Sequence, residues 1–337
     1  MENADALSNI PKKDSNIELL RIISAVAVIM IHVIGGAVVV AGQKNAYVSF
    51  LPAAHILLKW SVPVFLMISG YCILGKKESC DYKWVLPRVG RFACALVVFG
   101  FSFAFLERFY EVRRLSFSLF GGSFLDILNG NLWDHMWYVY CIIGIYLALP
   151  VLHAFASKKK ENIVLLTALC FVFSVFIPNL NRYTGLKIDF YFPFIKHLFY
   201  VCFGALVAKY PFKNDMKIDI VCIFAAVVGA VASVFDGAQS GGYYNIWVCL
   251  TAMAIFVFFM RRSFDIPYER IRKISSLTWG AYLIHPLFIN IIYKLLKFDP
   301  FSMPLVLSLL LVGIVVSAVS FAAVYVLKKI PLVSKML

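Results

Sequence analysis

Long apolar stretches separated by short polar connections recur along the whole chain. About ten of these stretches are long enough, or nearly long enough, to cross a bilayer as helices. They cover residues 19–41, 53–75, 89–106, 133–153, 162–178, 190–209, 217–235, 244–260, 275–297 and 303–328. The pattern predicts an all-α membrane protein, a bundle of about ten transmembrane helices.

The domain organisation follows from the connections between these stretches, none of which is long enough to separate a second domain. We expect a polar cytoplasmic segment over residues 1–16, a membrane domain over 17–328 and a short tail over 329–337. The first apolar stretch is long, and no small-residue cleavage site clearly follows it. It is therefore expected to be a retained anchor and not a removed signal peptide.

Composition and charge agree with a membrane protein. The chain is 62% hydrophobic and has a mean hydropathy of +0.84, which excludes an ordinary soluble domain. A net charge of +14 by itself suggests a nucleic-acid partner, but most of the 32 Lys and Arg residues fall in segments on one side of the predicted spans. Positive charge concentrates on the cytoplasmic side of membrane proteins, so we expect cytoplasmic N- and C-termini and no nucleic-acid partner.

The eight cysteines indicate no metal site. They form no C-x-x-C pair and show none of the ligand spacings typical of zinc. Small buried cysteine side chains are common in hydrophobic interiors. We therefore expect buried, structural cysteines and no bound metal.

The first predicted span carries two ionisable residues on one face. On a helix, Arg21 and His32 point the same way and lie about 16 Å apart along the axis. Glu18 is one turn before Arg21, where the two side chains can pair. An interfacial ion pair and a histidine bonded to a neighbouring helix also fit these positions. Ionisable residues within a membrane are costly, so the group of Glu18, Arg21 and His32 is a candidate catalytic centre.

The connection after the second span supplies candidate groups for binding an anion. Arg88 and Arg91 are three residues apart at the start of a helix, where they are expected to point the same way. Guanidinium groups suit phosphate oxygens, and a nucleotide-bearing donor such as coenzyme A needs such a site. Ordinary cytoplasmic positive charge fits the same residues equally well. Ser69, in the Ser-Gly pair that ends and loosens the second span, is the third predicted donor-binding residue, with Arg88 and Arg91.

A second set of polar residues lies on the fourth and ninth spans. Asp134 and His135 adjoin each other at the start of the fourth span, suited to orienting a hydroxyl-bearing acceptor. His285 lies at a depth similar to that of His32, and Tyr282 is one turn away on the same face. The aromatic residues beside Asp134 also fit an interfacial belt. The predicted acceptor or second polar cluster comprises Asp134, His135, Trp137, Tyr138, Tyr282 and His285.

Five short motifs follow one another along the chain in the order found in a known protein family. They are R-x10-H from Arg21 to His32, V-P-x-F-x-x-x-S-G from Val62 to Gly70, R-x-x-R at Arg88 and Arg91, an aromatic segment from Trp137 to Pro150, and Y-L-I-H-P from Tyr282 to Pro286. Each motif alone is weak, but their order in a chain with about ten spans is specific. The sequence resembles the acyltransferase-3 family of integral membrane acyltransferases, and most of all its bacterial glycan O-acetyltransferases, over residues 16–292.

The resemblance implies a function and a set of partners. Acetyl-CoA is expected to bind at the cytoplasmic side of a bacterial cytoplasmic membrane, and the acyl group to reach a hydroxyl of a glycan or lipid-linked sugar. By motif, His32 and Arg21 are the expected central pair, while Arg88 and Arg91 help to hold the donor. Some members carry an additional extracytoplasmic domain. This chain ends shortly after Lys328, so the membrane part is expected to act alone or with a separate protein.

Several alternatives remain open from the sequence. A neutral imidazole suits general-base catalysis near pH 7, which makes His32 the expected base for direct transfer. A covalent acyl-enzyme on Tyr282, a serine or His32 itself fits as well. About ten spans with central polar groups also suit a transporter or flippase of a small acid, an amino acid or an acylated glycan. Neither an H-x4-D motif nor a G-x-S-x-G motif is present, which disfavours glycerolipid acyltransferases and hydrolases.

Overall fold

The computed structural model describes residues 15–43, 50–75, 79–188, 195–212, 215–237, 242–262 and 264–337, and the regular elements in these ranges are helices. The helices are α1 (Ser15–Gln43), α2 (Phe50–Leu57), α3 (Ser61–Gly70), α4 (Tyr82–Val112), α5 (Phe117–Asn129), α6 (Trp137–Lys158), α7 (Lys160–Phe171), α8 (Ile177–Thr184), α9 (Ile195–Lys209), α10 (Met216–Phe235), α11 (Ile246–Arg261), α12 (Tyr268–Ser275), α13 (Thr278–Asn290), α14 (Leu305–Leu327) and α15 (Pro331–Ser334). Single π-helical turns extend α3, α7 and α13, and short 3₁₀ turns precede α6 and α11. Most of the predicted segment 1–16 lies outside the described residues.

The described residues confirm an all-helical, multi-pass protein. They contain seven helical segments long and apolar enough to cross a membrane: Ser15–Gly42, Phe50–Gly75, Tyr82–Val112, Asp134–Lys158, Lys160–Thr184, Met216–Phe235 and Leu305–Leu327. The other three predicted spans coincide with the shorter helices α9, α11 and α13. The total of about ten spans and the cytoplasmic termini remain predictions.

Helix α1 lies at the centre of the bundle. It packs against α2, α3, α11, α12, α13 and α14. Its apolar residues Leu20, Ile29 and Val33 are fully buried, and half of this span is buried inside the protein. Helix–helix contacts on several sides therefore fix the direction in which Arg21 and His32 point.

Three described helices, α5 and the short α12 and α15, lie almost entirely outside the predicted spans, and α5 is the longest of them. The connection between the third and fourth predicted spans contains α5, whose buried residues Leu119 and Ile127 are eight positions apart on one face. Helix α5 packs on α4, and Arg108 of α4 makes an ion pair with Asp126 of α5. The pattern of apolar residues was too short here to indicate a span, but it suffices for a helix lying against the bundle.

Two glycines allow α3 and α9 to cross with their backbones in contact. A Cβ atom at Gly70 would collide with the main chain of Val201, and one at Gly204 would collide with the main chain of Met67. Small residues at helix crossings permit the close van der Waals packing on which helix association in membranes depends. This crossing holds α3, which carries Ser69, in place beside α1.

We expect Gly204→Ala to destabilise the protein because main-chain atoms of α3 cannot move aside for the added methyl group. Overpacking of this kind costs about 1–3 kcal/mol. Thermal unfolding in detergent, followed by size-exclusion chromatography after heating, measures the effect. Gly144→Ala on α6 is the matched control, because a Cβ atom there meets open space. Equal melting temperatures for the two variants would contradict the packing described.

Candidate functional site

A cavity of about 430 Å³ lies at the end of the bundle where α1 begins. Its lining includes Arg21 of α1, Arg91 of α4, Arg272 of α12 and Lys328, together with the single carboxylate of Glu18. We call it the arginine cavity. Its wall also contains the rings of Tyr138, Tyr146, Trp279 and Tyr282. A positively charged, partly aromatic cavity of this kind suits an anionic ligand with an apolar portion.

Glu18 orients Arg21 at the mouth of this cavity. Nη1 of Arg21 donates to both carboxylate oxygens of Glu18, at 3.1 and 3.2 Å. Glu18 also accepts a hydrogen bond from the hydroxyl of Ser275 in α12. Its side chain is 12% exposed and that of Arg21 is 33% exposed. Glu18 therefore ties α1 to α12 and leaves part of the Arg21 guanidinium open to the cavity.

The two arginines of the R-x-x-R motif have different surroundings. Arg91 lines the arginine cavity and donates from Nε to the carbonyl oxygen of Met336 at 3.2 Å, with a second bond to Leu337. Arg88 is absent from the cavity lining. Its guanidinium lies 3.6 Å from the ring centroid of Trp84 and donates to the Trp84 carbonyl at 2.7 Å. The two arginines therefore have different hydrogen-bond partners, and of the two it is Arg91 that lines the cavity.

A second cavity, of about 630 Å³, lies at the opposite end of the same helices. Its lining includes the carboxylates of Glu107, Glu111, Asp126 and Asp134, so we call it the carboxylate cavity. The rest of its wall includes Arg108, Lys294, Asn131, Asn290 and the ring of Trp133. Many hydrogen-bonding groups around one aromatic ring suit a polyhydroxylated ligand.

Ion pairs organise part of the carboxylate cavity. Arg108 binds Asp126 through two bonds, of 2.5 and 2.8 Å. The hydrogen bond from Arg108 lowers the pKa of Asp126 below its ordinary value. Glu107 accepts a bond from the indole N–H of Trp133 at 3.0 Å and pairs with Lys294 at 3.3 Å. These contacts fix the aromatic wall and leave Glu111 and Asp134 as further negative charges on the lining.

Three histidines from three helical segments lie between the two cavities. The ring centroid of His32 is 5.0 Å from that of His285 and 6.1 Å from that of His135. His135 and His285 are 5.5 Å apart. His32 and His135 line the carboxylate cavity, while Tyr282, one turn before His285, lines the arginine cavity. The histidine cluster of His32, His135 and His285 is therefore the place where the two cavities approach each other.

Hydrogen bonds between α13 and the 3₁₀ turn that precedes α6 hold this cluster together. The hydroxyl of Tyr282 donates to the carbonyl oxygen of His135, and a ring nitrogen of His135 bonds to the carbonyl oxygen of Leu283 at 3.2 Å. Because that carbonyl can only accept, Nε2 of His135 carries the proton. The described residues contain no group of three or more His, Cys, Asp or Glu side chains placed to hold a metal ion.

Comparison with known proteins identifies the family. The Acyl_transf_3 family model, described as an acyltransferase domain, matches residues 14–327, nearly the whole chain. The protein belongs to the acyltransferase-3 family. No curated protein and no solved structure shows significant similarity to it. The match and the apolar helices together make it a multi-pass membrane acyltransferase.

In this acyltransferase-3 protein, the predicted site residues separate into distinct places. Glu18, Arg21, Ser69 and Arg91 line the arginine cavity, and Tyr138 and Tyr282 join them there. His32, Asp134 and His135 line the carboxylate cavity. The predicted second polar cluster is thus divided between the two cavities, with His285 buried between them.

Trp137 belongs to neither cavity lining. Its ring stacks on His197 at a centroid separation of 5.3 Å and lies 5.5 Å from that of Tyr243. Ser69 lines the arginine cavity, but its hydroxyl donates to the carbonyl of Phe65 at 3.1 Å. In the described structure Trp137 packs between helices, while Ser69 contributes mainly its small size to the cavity wall.

Sequence reasoning missed several charged residues of the site. Arg272 and Lys328 fall within the general excess of positive charge expected on the cytoplasmic side, yet both line the arginine cavity. A signal for Arg272 exists, because it is three residues before Ser275 on the amphipathic α12 and shares its face. The pairing of Glu107 with Lys294 joins residues far apart in the chain, and no local pattern indicates it.

The lowered pKa of Asp126 makes a pH-dependent contribution to stability. The folded state holds Asp126 ionised, so the Arg108 bond stabilises the protein above the ordinary aspartate pKa of about 3.9 and is lost as the pH falls through the lowered value. We expect Asp126→Asn to lower the melting temperature at pH 7, and the difference from wild type to shrink below about pH 4.

Melting temperatures in detergent between pH 3 and pH 7 measure this difference. Asp134→Asn is the control, since it changes an exposed carboxylate of the same cavity and should leave the melting temperature near that of wild type. If the melting temperatures of Asp126→Asn and wild type differed by the same amount at every pH, the stabilising role of the ionised Asp126 would be refuted.

Proposed function

We propose that the protein transfers an acetyl group from acetyl-CoA to a hydroxyl of a cell-envelope or exported glycan in a bacterial cytoplasmic membrane. The donor occupies the arginine cavity, and the acceptor occupies the carboxylate cavity. The observation that carries the proposal is the approach of these two cavities, from opposite ends of the bundle, at the histidine cluster. A group that enters from one side can be passed at the cluster to an acceptor from the other.

The arginine cavity supports the choice of donor. Four cationic side chains against one carboxylate suit the phosphates of coenzyme A. Apolar and aromatic wall residues such as Val28, Phe65 and Trp279 suit the pantetheine arm, which must carry the thioester toward the bundle centre. The excess of positive charge at this end also agrees with the predicted cytoplasmic orientation.

The carboxylate cavity supports the choice of acceptor. Carboxylate and amide groups such as Asp134, Asn131 and Asn290 accept hydrogen bonds from sugar hydroxyls. The ring of Trp133, fixed by its bond to Glu107, offers a flat apolar surface for one face of a sugar. A glycan or lipid-linked sugar therefore finds both kinds of contact in this cavity.

His32 is the proposed base. It lines the acceptor's cavity and lies about 16 Å along α1 from Arg21, which lines the donor's cavity. The acceptor oxygen attacks the thioester carbonyl while its proton passes to His32. The carbon–sulfur bond then breaks, and His32 returns the proton to the coenzyme A thiolate. General-base catalysis by a positioned imidazole increases the rate of such a reaction by a factor of about 10² to 10⁴.

We expect His32→Ala to abolish measurable acetylation with the protein still folded and abundant. The readouts are coenzyme A thiol released from acetyl-CoA by purified protein and the O-acetyl content of envelope glycans by mass spectrometry. His153→Ala is the control, since this buried histidine of α6 belongs to neither cavity lining. Normal product from His32→Ala would remove this residue from the mechanism.

We expect Arg272→Gln and Arg91→Gln to raise KM for acetyl-CoA with a smaller effect on kcat. Loss of one hydrogen bond to a charged group costs about 1.5–3 kcal/mol, which corresponds to about tenfold or more in affinity. Arg88→Gln is the matched control, because this residue lies on the same helix as Arg91 but faces Trp84. A larger KM effect for Arg88→Gln than for Arg272→Gln would contradict the placement of the donor.

The same pair of cavities favours one second candidate function. A path lined by polar groups from both ends of a bundle also suits a transporter or flippase of a small acid, an amino acid or an acylated glycan. Product chemistry separates the two. Transport predicts uptake into proteoliposomes with no release of coenzyme A thiol, whereas the proposed acyltransferase releases thiol in proportion to acetylated glycan.

A further inference from the structure

His285 lies at the centre of the site but is shielded from both cavities. It is fully buried on α13, at 0% exposure, and within the described chain it belongs to the lining of neither cavity. Its nearest aromatic neighbour is His32, with ring centroids 5.0 Å apart. Any effect of His285 on the reaction must therefore pass through another side chain.

The local sequence fixes which nitrogen of His285 carries the proton. Nδ1 lies 2.7 Å from the carbonyl oxygen of Tyr282 and 3.3 Å from that of Ala281. The Tyr282 carbonyl is available because Pro286, four residues later, has no N–H to bond it. Carbonyl oxygens only accept hydrogen bonds, so Nδ1 donates. A neutral imidazole carries one N–H, so Nε2 is left with a free lone pair.

That lone pair has no partner of its own in the described structure. Nε2 of His285 is buried and accepts no hydrogen bond. Buried polar groups without a partner are uncommon and costly in folded proteins, which points to a partner gained during function. Two imidazoles joined by an N–H···N bond of ordinary length have ring centroids about 5 Å apart. The His32 ring is thus near enough to supply its N–H by turning about its own side-chain bonds.

We propose that His285 is a positioning residue for His32, with its Nε2 accepting the ring N–H of His32. This bond would leave the other nitrogen of His32 bare and directed toward the carboxylate cavity, where it takes the acceptor's proton. The resulting imidazolium keeps its bond to Nε2 until the proton returns to the coenzyme A thiolate, so His285 itself is unchanged. The inference rests on the proposed acyl transfer.

Two isosteric variants separate this role from a structural one. In His285→Gln, the amide oxygen reaches the position of Nε2 and can accept the N–H of His32. In His285→Asn, the shorter amide can donate to the Tyr282 carbonyl as Nδ1 does, but it does not reach His32. His285→Leu removes both contacts.

We expect His285→Asn and His285→Leu to lower kcat about ten- to hundredfold, with KM for acetyl-CoA near that of wild type. His285→Gln should recover a substantial part of kcat. The assay follows thiol release by protein in nanodiscs, with acetyl-CoA and the envelope oligosaccharide fraction. The proposal would be overturned if His285→Asn had a higher kcat than His285→Gln, or if His285→Gln and His285→Leu lost kcat equally. A wild-type kcat for His285→Leu would overturn it as well.

A measurement on the unmodified site covers the case in which these variants fold poorly. In ¹⁵N-histidine-labelled protein, solid-state NMR should show one Nδ1–H tautomer whose bare Nε2 signal shifts in His32→Ala. An Nε2–H tautomer at His285, or a signal unaffected by His32→Ala, would overturn the inference. Absence of thiol release by the wild-type protein, in contrast, counts against the proposed function.

Discussion

The site depends on keeping three imidazoles together inside a bundle that must satisfy its own polar groups. In a membrane interior, water is not available to pair a histidine, so its partners must come from neighbouring helices. Here α13 supplies most of them: the Leu283 carbonyl binds His135, and the Tyr282 carbonyl binds His285. These bonds fix two of the three rings. His32, on the centrally packed α1, stands beside them and opens toward a cavity.

The distribution of charge around this cluster differs at the two ends. Guanidinium and ammonium groups dominate one cavity and carboxylates dominate the other. Helices α1, α4 and α13 each contribute to both linings, so a shift of one of them changes both cavities together. Such an arrangement suits an enzyme that takes its two substrates from opposite sides of a membrane. His135 and His285, in the cluster between the two cavities, are buried.

Much of the fold and part of the site were predictable because their signals are local. Apolar length alone located the long helices except α5, and helical spacing placed Arg21 and His32 on one face. Lys328 and Lys294 could not be found, because each approaches the site from a distant part of the chain. Spacing alone does not indicate that Arg88 and Arg91 have different partners, because the contact of the Arg88 guanidinium with the Trp84 ring depends on the fold. Division of the second polar cluster between two cavities likewise depends on how α6 packs.

The central claim is that two cavities reach the histidine cluster from opposite faces of the membrane. Single cysteines, Ser69→Cys for the arginine cavity and Asn131→Cys for the carboxylate cavity, test it most directly in protein whose native cysteines are replaced. A membrane-impermeant maleimide is applied to sealed vesicles of each orientation. We predict that Ser69→Cys reacts only from the cytoplasmic face, with protection by acetyl-CoA, and Asn131→Cys only from the other face. Labelling of both from one face would contradict the account.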